Sequence, residues 1–371
     1  MSIGHLYDNA YIRRVSSSYT TSQIQRYLAK IGVHAALDTI QPDLDTLKLI
    51  MFHHTITFPF ENTDLHYTEK HHMPVTPPEI FERLVNGRKG SYCFGQNGLL
   101  LGILRGLGYR VFMAPGRVLE KARHSSYPYE QEYTPLSHAI LLVQPHPAPN
   151  DRVTYLVDVG FGGTGPLRPI LLGDGSQNVP QKDGKHELSP GWVWGTYPPE
   201  RHRLVPGAFL DSSLEISPGS GTPPPRDWHF QCSHSTDEFG AYVFKTLYTF
   251  TEKIEFKQWD IDAASLSTSR MPGAIFYSNV VCMTRFITEL DPDQRKHLDE
   301  GVIEDLQWVG KWVLEAEKAT KRVGSKVLEE RTFVSERERL EVIRNVFGIE
   351  LAAEDEQWIV SGGLAGLKPQ V

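Results

Sequence analysis

The spacing of apolar residues changes near Gly108, and this change constrains the fold more than any other feature of the sequence. Before it, apolar side chains recur at the three- and four-residue spacing of amphipathic helices, which predicts helices within 21–50, 76–85 and 98–107. After it, short runs rich in β-branched and aromatic residues alternate with Pro, Gly, Asn and Asp, which predicts strands at 109–114, 138–143, 153–157, 228–230 and 242–250. We therefore expect an α+β fold, in which a helical unit precedes an antiparallel sheet or barrel.

The chain has 371 residues, more than one compact unit usually holds, so we expect more than one domain. Segment 172–226 is rich in Gly, Pro and Ser, which is typical of long surface loops. The rest of the chain predicts a helix at 256–268, a strand at 276–287, a charged helical segment at 291–321 and a helix at 335–346. We predict three domains: a helical domain at 1–108, a β-barrel domain with long loop insertions at 109–255, and an interdomain helix with an α/β lid at 256–371.

The charge and the cysteine content exclude several classes of function. The net charge is −7 and no sustained Lys/Arg run is present, so a nucleic-acid partner is not expected. Residues 1–18 lack the apolar core of a signal peptide, and no stretch is long and apolar enough for a membrane span. The three cysteines, Cys93, Cys232 and Cys282, are widely separated, which suits neither a disulfide framework nor a zinc ligand set. We expect a cytoplasmic protein without a metal ion, in which any one cysteine could be a reactive thiol.

Cys93 lies directly before the apolar run that predicts a helix ending at Gly108. The positive end of the helix dipole favours the thiolate form of a cysteine in the first turn. Cys93 is therefore a candidate nucleophile. A buried structural thiol is the more common fate of a lone cysteine, so the assignment needs a base.

His138 and Asp158 are the candidate partners of that cysteine. His138 begins an otherwise apolar predicted strand, and Asp158 ends the next strand along the chain. Neighbouring strands would bring the two side chains together, with the carboxylate orienting the imidazole. Alone, each could be a plain structural residue, such as an aspartate that caps a turn. Together with Cys93 they reproduce the chain order of a papain-like or transglutaminase-like nucleophile arrangement.

Several segments resemble the arylamine N-acetyltransferases. Residues 89–97 are similar to the R-G-G-x-C signature of that family with its downstream Asn, and residues 158–163 are similar to its catalytic Asp and the following glycine loop. The sequence Pro-Phe-Glu-Asn at 59–62 is similar to the segment that precedes the nucleophile, 262–279 is a looser match, and 342–349 resembles the closing F-G-I signature. The resemblance spans nearly the whole chain. The additional length at 172–226 and 291–321 is similar to the longer eukaryotic forms, fungal ones among them.

The resemblance implies a helical bundle, a central antiparallel β-barrel and a C-terminal α/β lid around a papain/transglutaminase-like catalytic core. It implies transfer of an acetyl group from acetyl-CoA, a cosubstrate rather than a permanently bound cofactor, to an arylamine, arylhydroxylamine or arylhydrazine. The intermediate would be acyl-Cys93, with ping-pong kinetics. Small-molecule amine and acyl-CoA are the expected partners.

Two further sets of residues are expected near the reacting atoms. Glycines allow backbone N–H groups to approach a pyrophosphate closely, although a plain strand-end turn would also explain them. By resemblance, Gly160, Gly162 and Gly163 would form the coenzyme A phosphate loop. The aromatic residues nearest the matched motifs could line the amine pocket or belong to the core; they are Phe60, Tyr92 and Phe161.

The sequence departs from the family pattern ahead of the nucleophile. Lys89 stands where the family has Arg, and Ser91 stands where it has the second Gly. The family's Arg is expected to pair with the residue matched by Glu61. Since Lys presents a point charge rather than a planar fork, we expect a weaker Lys89–Glu61 pair or its replacement by Arg88.

Three alternatives remain open from the sequence. The acyl donor could be malonyl-CoA or propionyl-CoA instead of acetyl-CoA. The same triad could serve a thiol hydrolase or a transglutaminase-like enzyme acting on peptide amides, although segments 59–62 and 158–163 argue against it. A binding protein that keeps the fold without catalysis is a third possibility, against which the intact Cys93, His138 and Asp158 speak.

Overall fold

The computed structural model describes most of the chain, with the backbone alone given for 177–180, 186–189 and 360. The described residues are 4–119, 133–146, 148, 151–173, 177–180, 186–189, 191–208, 212–222, 224, 227–272, 274–296, 298, 306–360 and 365–367. Its helices are α1 (Thr21–Lys30), α2 (Leu44–Thr57), α3 (Pro77–Phe81), α4 (Cys93–Gly106), α5 (Gln258–Arg270), α6 (Ile275–Ser278), α7 (Pro292–Lys296), α8 (Glu336–Phe347) and α9 (Glu356–Val360). A π-helical turn follows α3 at Glu82–Asn86, and short 3-10 turns lie at Tyr7–Asn9, Leu37–Thr39, Thr63–Leu65 and Ala353–Asp355.

The described strands are β1 (Phe60–Glu61), β2 (Arg110–Val118), β3 (His138–Gln144), β4 (Tyr155–Val157), β5 (Ile170–Leu171), β6 (Gln177–Pro180), β7 (His186–Ser189), β8 (Val193–Trp194), β9 (Arg201–Gly207), β10 (Asp227–Thr236), β11 (Tyr242–Phe250), β12 (Val281–Thr288), β13 (Trp308–Glu315), β14 (Lys318–Val323) and β15 (Lys326–Thr332). They form an eight-stranded sheet in the order β5-β4-β3-β2-β11-β10-β9-β8, a five-stranded sheet in the order β1-β12-β13-β14-β15, and the hairpin β6-β7.

The eight-stranded sheet forms a nearly closed antiparallel barrel, because its edge strand β5 also contacts β9. Strand β3 is buried on both faces, which explains why its sequence is apolar without alternation. Leu141 and Val143 face the core formed with the helices, whereas Ile140 and Leu142 face the barrel interior. Helix α4 packs on β2 and β3. The barrel is therefore the rigid base on which the helix that begins at Cys93 rests.

The five-stranded sheet connects the two ends of the chain. Its first strand, β1, comes from the helical part of the sequence and pairs with β12, with Phe60 opposite Met283. Helix α8 buries Leu340 and Ile343 in the core beneath this sheet. The division into domains at 108 and 255 stays a prediction.

The structure corrects the predictions for 291–321 and 276–287. Only Pro292–Lys296 is helical in the first segment, and β13 and β14 follow within it, while 297 and 299–305 lie outside the described residues. In β13 the buried positions alternate with more exposed ones, which is the two-residue period of a strand. The many charged residues of 291–321 made this period hard to recognise in the sequence. The strand predicted from 276 begins at Val281, because Ile275–Ser278 forms α6.

The loop prediction for 172–226 was also wrong in part. Strands β8 and β9 lie within this segment and complete the barrel, and the backbone of β6 and β7 forms a hairpin. Residues 174–176, 181–185, 190, 209–211, 223 and 225–226 of the segment lie outside the described residues. None of the described helices has the length and apolar character needed to cross a bilayer.

Acid is expected to destabilise the fold through its buried histidines. Burial lowers the pKa values of His54, His66 and His202 to about 4. Between pH 6.5 and 4 the unfolded chain therefore binds protons that the folded chain does not, so stability falls as the pH drops. Each histidine contributes a slope of up to about 1.4 kcal/mol per pH unit. Urea unfolding from pH 7.5 to 4.5 measures this loss.

The matched variants are His54→Gln and His34→Gln, since His54 is fully buried and His34 is exposed. His54→Gln is expected to reduce the fall in the free energy of unfolding between pH 7.5 and 4.5. His34→Gln is expected to leave that fall unchanged. Equal slopes in the two variants would contradict the assignment of the acid sensitivity to burial.

Candidate active site

Cys93 is the first residue of α4 and is only 4% exposed. The preceding residue, Tyr92, is extended, with φ −92° and ψ −167°, so the chain turns sharply into the helix at the cysteine. The N–H groups of the first turn of a helix have no intrahelical partner and present a positive field. The sulfur thus lies at the end of α4 where a negative charge is stabilised.

His138 and Asp158 meet because β3 begins at the histidine and β4 ends just before the aspartate. In the register of these two strands Leu141 lies opposite Val157, which places Asp158 alongside the start of β3. The distance from His138 Nε2 to Asp158 Oδ2 is 2.8 Å. Both side chains are buried, so little water competes for this hydrogen bond.

Asn97 fixes the aspartate and joins α4 to the sheet. Its Nδ2 donates to Asp158 Oδ1 at 2.9 Å and to the carbonyl of Ala139 at 2.8 Å, while its Oδ1 accepts from the N–H of Val159 at 3.1 Å. The N–H of Gly160 donates to the same aspartate oxygen at 2.8 Å. The carboxylate therefore has partners on both oxygens, and Asn97, one turn after the cysteine, ties the helix to β3 and to the segment after β4.

The three side chains form one electrostatic unit. Burial acts to lower the pKa of His138, but the charge and hydrogen bond of Asp158, with a hydrogen bond to Cys93, raise it to about 10. Burial acts to raise the pKa of Asp158, yet the charge of His138 and the hydrogen bonds to the carboxylate hold it below its usual value. At neutral pH the histidine is thus an imidazolium between a carboxylate and a sulfur. A protonated imidazole beside a cysteine sulfur stabilises a thiolate.

The rings of Tyr248 and Phe161 enclose the histidine on its other sides. The Tyr248 ring centroid lies 4.8 Å from that of His138, and the Phe161 centroid lies 5.3 Å away. Burial first, and then the nearby Asp158, raise the pKa of the Tyr248 hydroxyl well above its usual value. These rings exclude water from the ion pair and restrict the imidazole to one orientation.

A cavity of about 300 Å³ opens beside the cysteine. Its wall is mostly apolar and aromatic, and among the described residues that line it Glu315 is the one carboxylate and Lys and Arg are absent. The lining residues are Phe60, Cys93, Val118, Thr134, Pro135, Ser137, His138, Gly160, Phe161, Gly162, Gly163, Ser267, Thr268, Met271, Ala274, Ile275, Phe276, Val281, Met283, Val313 and Glu315. The cavity has the size and character of a site for a small aromatic molecule.

Two of the three predicted pocket aromatics line this cavity. Phe60 and Phe161 belong to its wall, whereas Tyr92 does not. Tyr92 is fully buried, and its hydroxyl lies at hydrogen-bond distance from Ser265 Oγ on α5, so it packs the core behind the nucleophile. Phe276 was missed as a pocket residue because its segment was predicted to be a strand; it lies on α6, with its ring centroid 5.9 Å from that of Phe60.

The three predicted glycines have different surroundings. Gly160 packs on Cys93, since a Cβ added there would lie 2.5 Å from Cys93 Cα and 2.8 Å from Asn97 Nδ2. Gly162 has φ +80° and lies against the ring of Phe60. The carbonyl of Gly163 accepts a hydrogen bond from Lys311 Nζ at 2.6 Å. Phosphate binding by this loop stays a prediction.

Replacing Gly160 by alanine is expected to displace Cys93. The added methyl group would overlap the backbone of α4, which costs about 1–3 kcal/mol in a packed core. A displacement of the cysteine by about 1 Å would slow a reaction at its sulfur by roughly 100-fold. Steady-state kinetics and urea unfolding of Gly160→Ala measure the two effects.

Gly163→Ala is the matched control, because a Cβ there would meet its nearest neighbour, Lys311 Nζ, at an ordinary 3.5 Å. We expect it to cost less than about 1 kcal/mol of stability. If the two variants were equally stable and active, close packing of Gly160 on α4 would not be a requirement of the site.

The predicted partner of Glu61 was wrong. Glu61 is bonded by Arg83, which also bonds Asp64, and Lys89 Nζ lies 2.7 Å from Asp64 Oδ1 instead. Arg83 Nε also donates to the carbonyl of Gly90 at 2.6 Å, so this network holds the loop that leads to the nucleophile. Arg83 lies on the π-helical turn after α3, and no local sequence signal pointed to it.

Comparison with known proteins identifies relatives of this chain. A family model described as N-acetyltransferase matches residues 43–290. Among curated proteins, the chain is similar to the N-malonyltransferase FDB2 of Fusarium pseudograminearum, at 26% identity over 355 residues and 91% of each chain. It is also similar to the arylamine N-acetyltransferase of Mycobacterium tuberculosis, at 37% identity over 153 residues, which are 40% of this chain and 49% of that protein.

Solved structures show the same fold. The arylamine N-acetyltransferase of Salmonella typhimurium matches with a TM-score of 0.63 at 18% identity, over 92% of this chain and 99% of that one. The Mycobacterium marinum arylamine N-acetyltransferase in complex with CoA matches with a TM-score of 0.59 at 22% identity, over 88% and 92% of the two chains. The nearly closed barrel with its packed helices is thus an architecture already known.

Proposed function

Because this chain belongs to the arylamine N-acetyltransferase family and extends over nearly the full length of fungal relatives, we propose that it transfers an acyl group from a coenzyme A thioester to an aromatic amine. One observation carries the proposal. Cys93 begins a helix beside an imidazolium that is hydrogen-bonded to Asp158 at 2.8 Å; all three side chains are buried, and Cys93 and His138 line an apolar cavity.

In the first half of the reaction the Cys93 thiolate attacks the carbonyl carbon of the acyl-CoA. The new carbon–sulfur bond forms at the enzyme, the bond to coenzyme A breaks, and the leaving thiolate takes the proton from His138. The backbone N–H of Cys93, which as a first-turn N–H has no partner within α4, would stabilise the oxyanion. The products of this step are free coenzyme A and an acyl-enzyme with a neutral imidazole.

In the second half an aromatic amine attacks the carbonyl carbon of acyl-Cys93. Its nitrogen loses a proton to His138, the bond to sulfur breaks, and the thiolate–imidazolium pair is restored. Aromatic amines suit this step because they are largely unprotonated at neutral pH, whereas alkylamines are mostly ammonium ions. Because the two substrates react in separate steps, the kinetics are ping-pong.

The cavity supports an aromatic acceptor. Phe60, Phe161 and Phe276 form part of its wall, and offset or edge-to-face contacts between aromatic rings stabilise a flat ligand. The threonine and serine hydroxyls at Thr134, Ser137 and Thr268 provide a smaller polar side. A wall that is mostly aromatic with a small polar side fits a ring with one reactive nitrogen better than it fits a peptide amide. We therefore favour an aromatic amine over the peptide substrate of a hydrolase or a transglutaminase.

The acyl group is proposed to be acetyl, with malonyl as the alternative. A malonyl group carries a free carboxylate beyond its thioester carbonyl, and the described cavity wall offers that carboxylate Glu315 but neither Lys nor Arg. Like charges at close range disfavour binding. The alternative rests on the relatives named N-malonyltransferase, which match over 91% of the chain. Propionyl differs from acetyl by one methylene and fits the same cavity.

The test is to incubate the protein separately with acetyl-, propionyl- and malonyl-CoA, with and without an arylamine such as aniline. Release of free coenzyme A and the mass of the intact protein are followed together. We expect one acyl adduct on Cys93 without amine, rapid release only with amine, and the order acetyl above malonyl. Coenzyme A release that does not depend on amine would mean a hydrolase. A malonyl adduct formed faster than an acetyl adduct would establish the alternative donor.

A further inference from the structure

A second cavity adjoins the glycine loop at Thr164, and Cys93 is not among its described lining residues. It measures about 320 Å³ and is bounded by the loop at Thr164, by β12 and β13, and by the turn between β14 and β15. Arg285, Lys311 and Arg322 line it, and Glu200 is the one carboxylate among its described lining residues. The proposed acyl transfer uses none of these side chains.

Arg285 is a buried cation whose hydrogen-bonding capacity is only partly used. It is 5% exposed, and its Nη2 donates to the carbonyls of Gly162 and Gly165 at 2.8 and 3.0 Å. Its Nε and Nη1 are buried and have no hydrogen-bond partner among the residues that the structure describes. The hydroxyl of Thr164, in the same wall, is buried and lacks a partner within those residues as well. Unpaired buried donors are costly, and a bound acceptor would satisfy them.

The charge around the cavity is positive. Burial lowers the pKa of Arg285 to about 10, so its guanidinium is a cation at neutral pH. Burial also lowers the pKa of Lys311, and the charge of Glu200 opposes that effect. The carboxylate of Glu200 offsets one positive charge, and its Oε1 is engaged by the N–H of Thr196 at 2.7 Å. Arg322, exposed at the rim, adds a further cation. An anion would therefore be stabilised in this cavity.

A metal ion is the other occupant to consider. Ligand atoms of Glu200, His202 and Cys232 lie within 4.8 Å of one another. However, the positive charges of Lys311 and Arg285 act directly on this group, which raises the free energy of a dication there. The charge balance favours an anion over a cation.

We propose that this cavity binds a small oxyanion of the phosphate class, held by Arg285, Lys311, Arg322 and the hydroxyl of Thr164. Planar guanidinium groups and ammonium groups are the usual partners of phosphate oxygens. Two sources share this chemistry: inorganic phosphate and the 3′-phosphate of coenzyme A. Arg285 and Lys311 also donate hydrogen bonds to the carbonyls of Gly162 and Gly163. A bound anion would therefore fix these two side chains and, through them, stabilise the loop that lines the cavity beside Cys93.

Binding of inorganic phosphate to the full chain tests the proposal, by isothermal titration calorimetry at pH 7.5 and an ionic strength held constant with chloride. We expect saturable binding of one phosphate per chain. Arg285→Gln should weaken it by roughly tenfold or more, because a charge-assisted hydrogen bond is lost. Because Arg285 also holds the loop, Arg322→Gln and Thr164→Val are the variants that leave those loop bonds intact, and each should weaken binding several-fold. Arg337→Gln, at an exposed site on α8, is the matched control and should bind like the wild type.

Competition distinguishes the two sources. Displacement of phosphate by coenzyme A but not by dephospho-coenzyme A would assign the cavity to the 3′-phosphate, and displacement by neither would assign it to free phosphate; both results support the site. Absence of saturable binding, or equal affinity in Arg322→Gln, Thr164→Val and Arg337→Gln, would overturn it. Saturable binding of Zn²⁺ without binding of phosphate would overturn it in favour of a metal site. None of these measurements needs turnover, so they stand apart from the test of acyl transfer.

Discussion

Replacing Cys93 by serine is expected to lower acyl transfer by roughly 10⁴- to 10⁶-fold, the range seen when one member of a catalytic triad is removed. The reason lies in the proton on the neighbouring ring. A serine hydroxyl must lose its proton as it attacks, but His138 already holds one, because its pKa is raised to about 10 against the effect of burial. The imidazolium can support a preformed thiolate and cannot act as a base toward an alcohol.

The measurement is the rate of N-acylarylamine formation, together with the mass of the protein after exposure to acetyl-CoA. Cys93→Ser should show neither product nor adduct. Cys282→Ala is the matched control, since Cys282 is also buried but lies in the core beneath the five-stranded sheet. It is expected to keep the adduct. An adduct on Cys93→Ser that turns over at more than about one-hundredth of the wild-type rate would show that another residue is the nucleophile.

Replacing Asp158 by asparagine is expected to lower kcat/KM by about 10³- to 10⁴-fold, as when a triad carboxylate is neutralised. Burial lowers the pKa of His138, and Asp158 is the main influence that reverses this effect. Without the carboxylate the buried ring loses its proton at neutral pH, so the thiolate loses its counterion. The rate of Cys93 alkylation by iodoacetamide at pH 6.5 should fall in parallel with kcat/KM. A parallel fall would show that the loss of activity comes from the loss of the Cys93–His138 ion pair.

Tyr248→Phe is the control for this variant. It keeps the ring that lies 4.8 Å from His138 and removes only a hydroxyl near the carboxylate. We expect a change of less than about tenfold. The proposed role of Asp158 would be wrong if the rate of Cys93 alkylation and kcat/KM were as high in Asp158→Asn as in Tyr248→Phe.

The proximity of Cys93, His138 and Asp158 could be predicted from the sequence because each residue is marked by its own segment. Cys93 precedes an apolar helix, His138 begins an apolar strand, and Asp158 ends the next one. His138 and Asp158 are then expected to be close together, because strands that follow one another along a chain are often paired. The barrel and the helices packed on it follow from the same local patterns.

The remaining parts depend on contacts between distant segments. The partner of Glu61 is Arg83, and the close approach of Gly160 to Cys93 joins positions on different elements. Neither leaves a periodic signal. The strand at Trp308–Glu315 was predicted as helix because lysine and glutamate are good helix formers, and only the alternation of buried positions revealed it. The sequence could not show that Phe60 lines the cavity whereas Tyr92 belongs to the core, since both residues are aromatic and lie near a motif.

The pairing of β1 with β12 has a consequence for biosynthesis. Phe60, which walls the catalytic cavity, is paired with Met283, so it emerges from the ribosome more than two hundred residues before its partner. Contacts so distant along the chain form late and slowly. A nascent polypeptide therefore carries Cys93, His138 and Asp158 long before the cavity beside them is complete. Translation pauses ahead of residue 283 would prolong the interval in which the thiol is open to oxidants.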